Sequence, residues 1–208
     1  MTMLSPANTS KKAPKLSHPN DNFDAAKAKE IRERSPFDTR NILDKYKGLS
    51  NEEIYNARQT GGLVAILTNK VRDFNLGSVI RSACQLGVDH VVITDSKKYD
   101  RRGTVGASHY MDIDFELDTM DALRKYRNMG YRIVAAEYDE RYDMSSLYEY
   151  TWNYKTAIIF GEEGVTLPDE VLNFVDDIVM VPMYGVLRSL NVASTATVMF
   201  SHYCSQHM

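Results

Sequence analysis

The chain has 208 residues, with 25 Lys+Arg against 28 Asp+Glu for a formal net charge of −3, 43% hydrophobic residues and 25% charged. This is ordinary globular composition with enough apolar residues for a sizeable core, and it excludes a protein that coats nucleic acid by net charge alone. The longest apolar runs are about five residues, as at Leu63–Leu67, too short to span a bilayer. Two cysteines, Cys84 and Cys204, far apart in sequence, can build neither a disulfide framework nor a zinc cluster. The N-terminus has no apolar signal region, so the reading is a cytoplasmic globular protein without a membrane anchor.

In chain order, composition changes near residue 60. Four of the six prolines lie in the first 36 residues, and residues 1–60 hold 11 Lys+Arg against 8 Asp+Glu. The remainder is acidic. Residues 1–60 therefore read as a polar, partly disordered arm with short helices. Within it, 24–34 is one candidate helix and 51–58 another, the second capped by Ser50. Lys11, Lys12 and Lys15 stand without a nearby acid, which suits either a solvated tail or a segment that steers toward RNA.

From residue 61 to 208, β-branched apolar runs alternate with helical stretches. Predicted strands are 63–68, 90–94, 132–137, 157–160 and 178–181. Predicted helices are 76–86, 119–128, 168–174 and 190–203, with Pro168 suited to a first helical turn. Unbroken apolar strands such as Ala157-Ile-Ile-Phe160 point to a parallel sheet covered on both faces. The fold class is α/β, a mostly parallel sheet flanked by helices.

Ligands of such sheets bind beyond the carboxyl ends of the strands, and three clusters lie there. The first is Asn75-Leu-Gly-Ser-Val-Ile-Arg81-Ser-Ala83, where Gly77 allows close approach of backbone or ligand. Arg81 interrupts an apolar helix and so needs an acceptor or a cleft; a structural salt bridge is the plainer reading. The second is Gly161-Glu162-Glu163-Gly164, whose adjacent carboxylates are costly unless offset. It lacks the spacing of a phosphate-binding loop, and no dinucleotide-binding glycine fingerprint is present. The third runs from Val181 through Pro182 and Met183 to Ser189-Leu190-Asn191 and a helix rich in small residues, with Ser189 placed to cap it.

These three clusters, in this order, resemble the three motifs of the SpoU/TrmH family of RNA ribose 2′-O-methyltransferases. Asn75, Gly77, Arg81 and Ala83 match the first, Gly161, Glu163 and Gly164 the second, and Pro182, Ser189, Leu190 and Asn191 the third. Ala193 stands where the family often has Ser, and Arg102–Ser108 resembles the small-residue segment after the family's second strand. The resemblance spans about residues 62–204.

The resemblance implies a C-terminal deep trefoil knot and a homodimer whose knots pack together. It implies S-adenosylmethionine as methyl donor, with S-adenosylhomocysteine as product, held at Gly161, Val181, Met183, Leu190 and Asn191. It assigns the 2′-hydroxyl to Arg81, with Asn75 and Glu163 orienting Arg81 and the ribose, and Ser189 and Asn191 shaping the pocket. A guanidinium is a poor base, so orientation and charge stabilisation suit Arg81 at least as well as proton removal. The RNA is tRNA or rRNA, with a lean to tRNA because the chain has only a polar arm where many rRNA-directed relatives carry an N-terminal domain.

Lys97, Lys98, Arg101 and Arg102 offer phosphate contacts and Tyr99, His109 and Tyr110 stacking surfaces, although a charge run is commonly only a solvated face. Val192, Ala196, Met199 and Tyr203 of the last helix could form the dimer contact or pack into the core. No metal is required, since the histidines show no ligand spacing. Two other readings are a non-catalytic RNA-binding or assembly protein that keeps the fold, and a base-modifying knotted methyltransferase. The Asn75/Arg81/Glu163 set argues against the first and Arg81 with Ser189–Asn191 against the second.

Overall fold

The computed structural model describes residues 40–70 and 75–208, and Asn41–Met208 form one compact unit. Among the described residues the strands are β1 (Leu63–Leu67), β2 (His90–Thr94), β3 (Asp112–Glu116), β4 (Arg132–Ala136), β5 (Ser145–Ser146), β6 (Thr156–Phe160) and β7 (Asp177–Met180). The helices are α1 (Asn51–Asn56), α2 (Leu76–Gln85), α3 (Thr119–Asn128), α4 (Asp169–Phe174) and α5 (Val192–His207). Single 3-10 turns at Arg101–Thr104 and Ala107–His109 follow β2. The helix expected at 24–34 lies outside the described residues. No helix among the described residues is long and apolar enough to cross a membrane.

The sheet is parallel throughout, in the order β3-β2-β1-β6-β4-β7-β5. Alternate residues of β1 face opposite layers, as the twofold repeat of a strand requires. Leu63, Ala65 and Leu67 pack with Leu76, Val79 and Ile80 of α2 and with Met199, Phe200 and Tyr203 of α5. Val64 and Ile66 pack with Leu123 and Tyr126 of α3 and with Val171 and Leu172 of α4. Burial on both faces is why β1 and β6 read as continuous apolar runs.

Two strands are not visible in the sequence pattern. β3 (Asp-Ile-Asp-Phe-Glu) is an edge strand whose alternating acids discourage pairing with another chain, and the same acids hide its strand character. β5 is only Ser145-Ser146, which carries no strand signal of its own.

Composition sets its break near residue 60, but the compact unit begins at Asn41. Ser50 and Glu53 form the full capping box that starts α1, at 3.2 and 2.7 Å. Ile54 is buried, Tyr55 donates its hydroxyl to Asp112, and Arg58 donates to the carbonyls of Val88 and Asp89 at 3.4 and 3.1 Å. These contacts hold 50–58 against the sheet domain.

Candidate active site at the carboxyl ends of the strands

The chain leaves β1 toward β2 and β3 on one side, and later strands fill the other side beginning with β6 beside β1. The β1/β6 boundary is therefore a point where the winding reverses, and a crevice opens beyond its strand ends. Each of the three sequence clusters delivers one side chain there.

Asn75, immediately before α2, donates its Nδ2 to Oε2 of Glu163 at 2.6 Å. Asn191 donates its Nδ2 to the same carboxylate oxygen at 2.9 Å and to Oδ1 of Asn75 at 2.9 Å. The Asn191 Oδ1 accepts from the backbone N–H of Ala193 and Ser194, at 3.0 and 3.4 Å, and so caps α5. Three connections that follow three different strands are thus tied in a closed ring of amides around one carboxylate. The neighbouring Glu162 points elsewhere, buried and accepting from the backbone N–H of Lys70 at 2.5 Å. The two adjacent acids are each offset by donors, which is what their juxtaposition demanded.

The structure corrects the expectation that Ser189 caps the last helix. Asn191 is the cap, and Ser189 lies in the exposed stretch 184–190. It also separates Arg81 from the groups expected to orient it. Asn75 and Glu163 bind each other and Asn191, whereas Arg81 is exposed and makes no hydrogen bond or ion pair among the described residues. Six positions along α2 carry Arg81 about 9 Å from Asn75 and turn it to a different side. Instead of a salt bridge it meets a cleft.

Of the residues expected at the methyl donor, Val181 is buried at the end of β7, Met183 is half-buried, and Leu190 is exposed beside Asn191. Gly161 ends β6, and a Cβ there would stand 3.0 Å from the Val165 carbonyl oxygen. Glycine is thus required by the fold-back of its own loop, which turns through Gly164 at φ +77°. An apolar strand end, a half-buried thioether, a Cβ-free backbone and the ringed Asn191 fit the adenine, ribose and methionyl parts of S-adenosylmethionine.

Gly77 is explained by packing. An added Cβ would lie 2.8 Å from the Asp100 carbonyl oxygen and 2.8 Å from Gly103 Cα. This contact presses the turn at 101–104 onto α2 beside the site. Asn69, not singled out from the sequence, is fully buried and donates to the carbonyls of Ser96 and Lys98 at 3.2 and 2.9 Å, fixing the basic loop. A polar residue closing an apolar strand was the one signal for it. In that loop Lys97, Lys98, Arg101 and Arg102 are all exposed. Arg102 forks onto Asp100, with Nε 3.0 Å from each carboxylate oxygen, and holds that carboxyl below its usual pKa. Tyr99 is half-buried against Phe115 and beneath Arg101, so it belongs to the core more than to a stacking surface.

An open parallel α/β domain, with an Asn–Glu–Asn ring at the winding reversal and a free arginine on the adjoining helix, defines a ligand-binding enzyme domain of the knotted-methyltransferase type. Residues 62–201 match the SpoU rRNA Methylase family, and the chain belongs to it. A relative from Borreliella burgdorferi, named tRNA (guanosine(18)-2′-O)-methyltransferase, is 30% identical over 72% of this chain and 69% of its own length. Among solved structures, the A. aeolicus TrmH/SpoU tRNA modifying enzyme is similar in fold, with a TM-score of 0.66 at 20% identity, over 75% of this chain and 81% of that one. AviRb from Streptomyces viridochromogenes, solved in complex with the cofactor AdoMet, has a TM-score of 0.61 at 22% identity, over 74% and 63%.

Proposed function

We infer that this chain transfers a methyl group from S-adenosylmethionine to a ribose 2′-hydroxyl of structured RNA. The observation that carries this reading is the union of Asn75, Glu163 and Asn191 at one crevice, in a domain whose family match covers residues 62–201. A non-catalytic binder has no need of such a ring.

S-adenosylmethionine supplies a methyl carbon already activated by its sulfonium, so the protein's share is placement, charge and a route for one proton. Gly161, Val181, Met183 and Leu190 hold the donor, and Asn191 fixes the loop that carries Leu190. Arg81, without an internal partner among the described residues, pairs with an RNA phosphate. From there it orients the attacking hydroxyl and stabilises negative charge growing on its oxygen. Glu163 and Asn75 keep the crevice closed around the ribose, and Ser189 shapes its rim. The basic loop Lys97, Lys98, Arg101 and Arg102 adds phosphate contacts.

The substrate we favour is tRNA, the RNA named for the Borreliella relative. The finer architecture of this reading is a C-terminal trefoil knot formed as 181–191 passes from β7 to α5, a homodimer, a polar N-terminal arm at residues 1–60 and a cytoplasmic location. The test is transfer of labelled methyl to separate tRNA and rRNA pools, followed by nucleoside analysis. A 2′-O-methylnucleoside from tRNA is expected, and Arg81→Ala abolishes it while S-adenosylmethionine still binds. A methylated base in place of a methylated ribose would overturn the assignment.

A further inference from the structure

The side of α2 that carries Arg81 opens on a cleft of about 280 Å³ reaching beyond the Asn75–Glu163–Asn191 ring. Its walls include Arg81 and Gln85 of α2, Lys45 and Tyr46 ahead of α1, Arg58 behind it, and Tyr110. Three cations line it, and no carboxylate does so among the described residues. The Arg58 Nε is buried with no hydrogen-bond partner, although the terminal nitrogens donate to Val88 and Asp89. A guanidinium donor is thus held with unused capacity. Tyr46 and Tyr110 are half-buried, leaving part of each ring for contact.

Val105, also in the wall, is a β-branched residue at φ +48°, a conformation such residues rarely adopt and one that concentrates at ligand clefts. The volume sits at the low end of the roughly 300–1,000 Å³ typical of small-ligand pockets, which suits one nucleoside and no longer stretch of chain. The wall formed by Lys45, Tyr46 and Arg58 precedes the family-matched residues 62–201, so it is particular to this protein.

We propose that this cleft seats one unstacked nucleotide of the RNA substrate, next to the ribose that is methylated. The base stacks on the tyrosines with the Gln85 amide at its edge, and its phosphate lies between Arg81 and Arg58. Unstacked bases on aromatic faces, with phosphates on arginine, are how proteins read single-stranded RNA. The proposal rests on the methyltransferase reading and adds where the substrate is selected.

The experiment uses the full chain with labelled S-adenosylmethionine and the RNA pool that accepts methyl groups, comparing wild type with Tyr46→Ala and Gln85→Glu. Each variant lowers kcat/KM by about tenfold or more, mainly through KM, with S-adenosylmethionine affinity and Tm unchanged. Gln85 is an exposed helical position that tolerates Glu, so its result does not depend on folding. Wild-type kcat/KM in both variants would overturn the proposal. So would a loss traced by sedimentation to a dissociated oligomer, since the cleft would then seat a second copy. If wild type methylates no RNA, the functional reading fails by itself. Filter retention of tRNA by the same variants then decides the cleft, weaker retention supporting it and equal retention refuting it.

Discussion

Asn191 shows how one side chain can join fold to site. Its Oδ1 starts α5 and its Nδ2 closes the ring on Asn75 and Glu163. Asn191→Ala removes both and costs about 1–2 kcal/mol, mostly the cap, read as a lower urea midpoint, together with loss of methyl transfer. Asn191→Asp separates the two roles. Aspartate caps as well as asparagine but cannot donate to Glu163 and sets a second carboxylate against it, so transfer falls by far more than stability does. A parallel fall in both would show the ring to be purely structural. The motif residues Asn75, Glu163 and Asn191 were legible because amides and a carboxylate at strand ends seldom stand there without a partner or ligand. Which residue capped α5 was not, because Ser189 and Asn191 are both good caps and the path of 184–190 selects between them.

The elements near the site are held by close backbone packing and by buried polar pairs. Gly77→Ala thrusts a Cβ into the Asp100 carbonyl and Gly103 Cα, both at 2.8 Å. The turn at 101–104 must shift, destabilising the fold by about 1–3 kcal/mol. A Tm equal to wild type would show that this contact yields freely. On β2, His90 shares a hydrogen bond with Tyr126 of α3, and on α5 His202 accepts from Trp152 Nε1 at 2.9 Å. Burial lowers the pKa of both histidines below 6.5. The unfolded chain takes up protons near pH 6.5 that the folded chain refuses, so stability is full above that pH and declines as pH falls below it. Tm should therefore fall between about pH 7.5 and 5.5, and His90→Asn should flatten part of that slope. A wild-type Tm level across the interval would contradict it.

At the scale of the whole molecule, α5 turns Ala196, Met199 and Tyr203 into the core, at 0–1% exposure, so they cannot form the dimer contact that their sequence pattern allowed. The helix leaves Ser194 and Val198 outward beside Ser78 and Ser82 of α2, a shallow small-residue groove where two copies can approach closely. If the homodimer forms there, Val198→Glu halves the sedimenting mass without changing the far-ultraviolet circular dichroism. An unchanged mass would move the interface elsewhere. Removing residues 1–40 tests the basic arm separately: if it contacts phosphates, RNA affinity falls and its dependence on salt becomes shallower.

The fold class, β1, β2, β4, β6 and β7, the helices from α2 onward and the three clusters of site residues are all written in local pattern. Apolar runs, cap residues and glycines act over a few positions and leave their mark in order along the chain. Three features depend on parts of the chain far apart in sequence. The edge strand β3 exists because β2 offers it a partner, and β5 because β7 does. The separation of Arg81 from the Asn75–Glu163–Asn191 ring follows from the turn of α2 and the crossing of 181–191, neither of which any one segment encodes. The cleft beside Arg81 likewise arises only when residues 41–58 fold back over α2 and the end of α5. Local propensity selects elements, but it is the burial of their faces against one another that places side chains over a hundred residues apart within hydrogen-bonding distance.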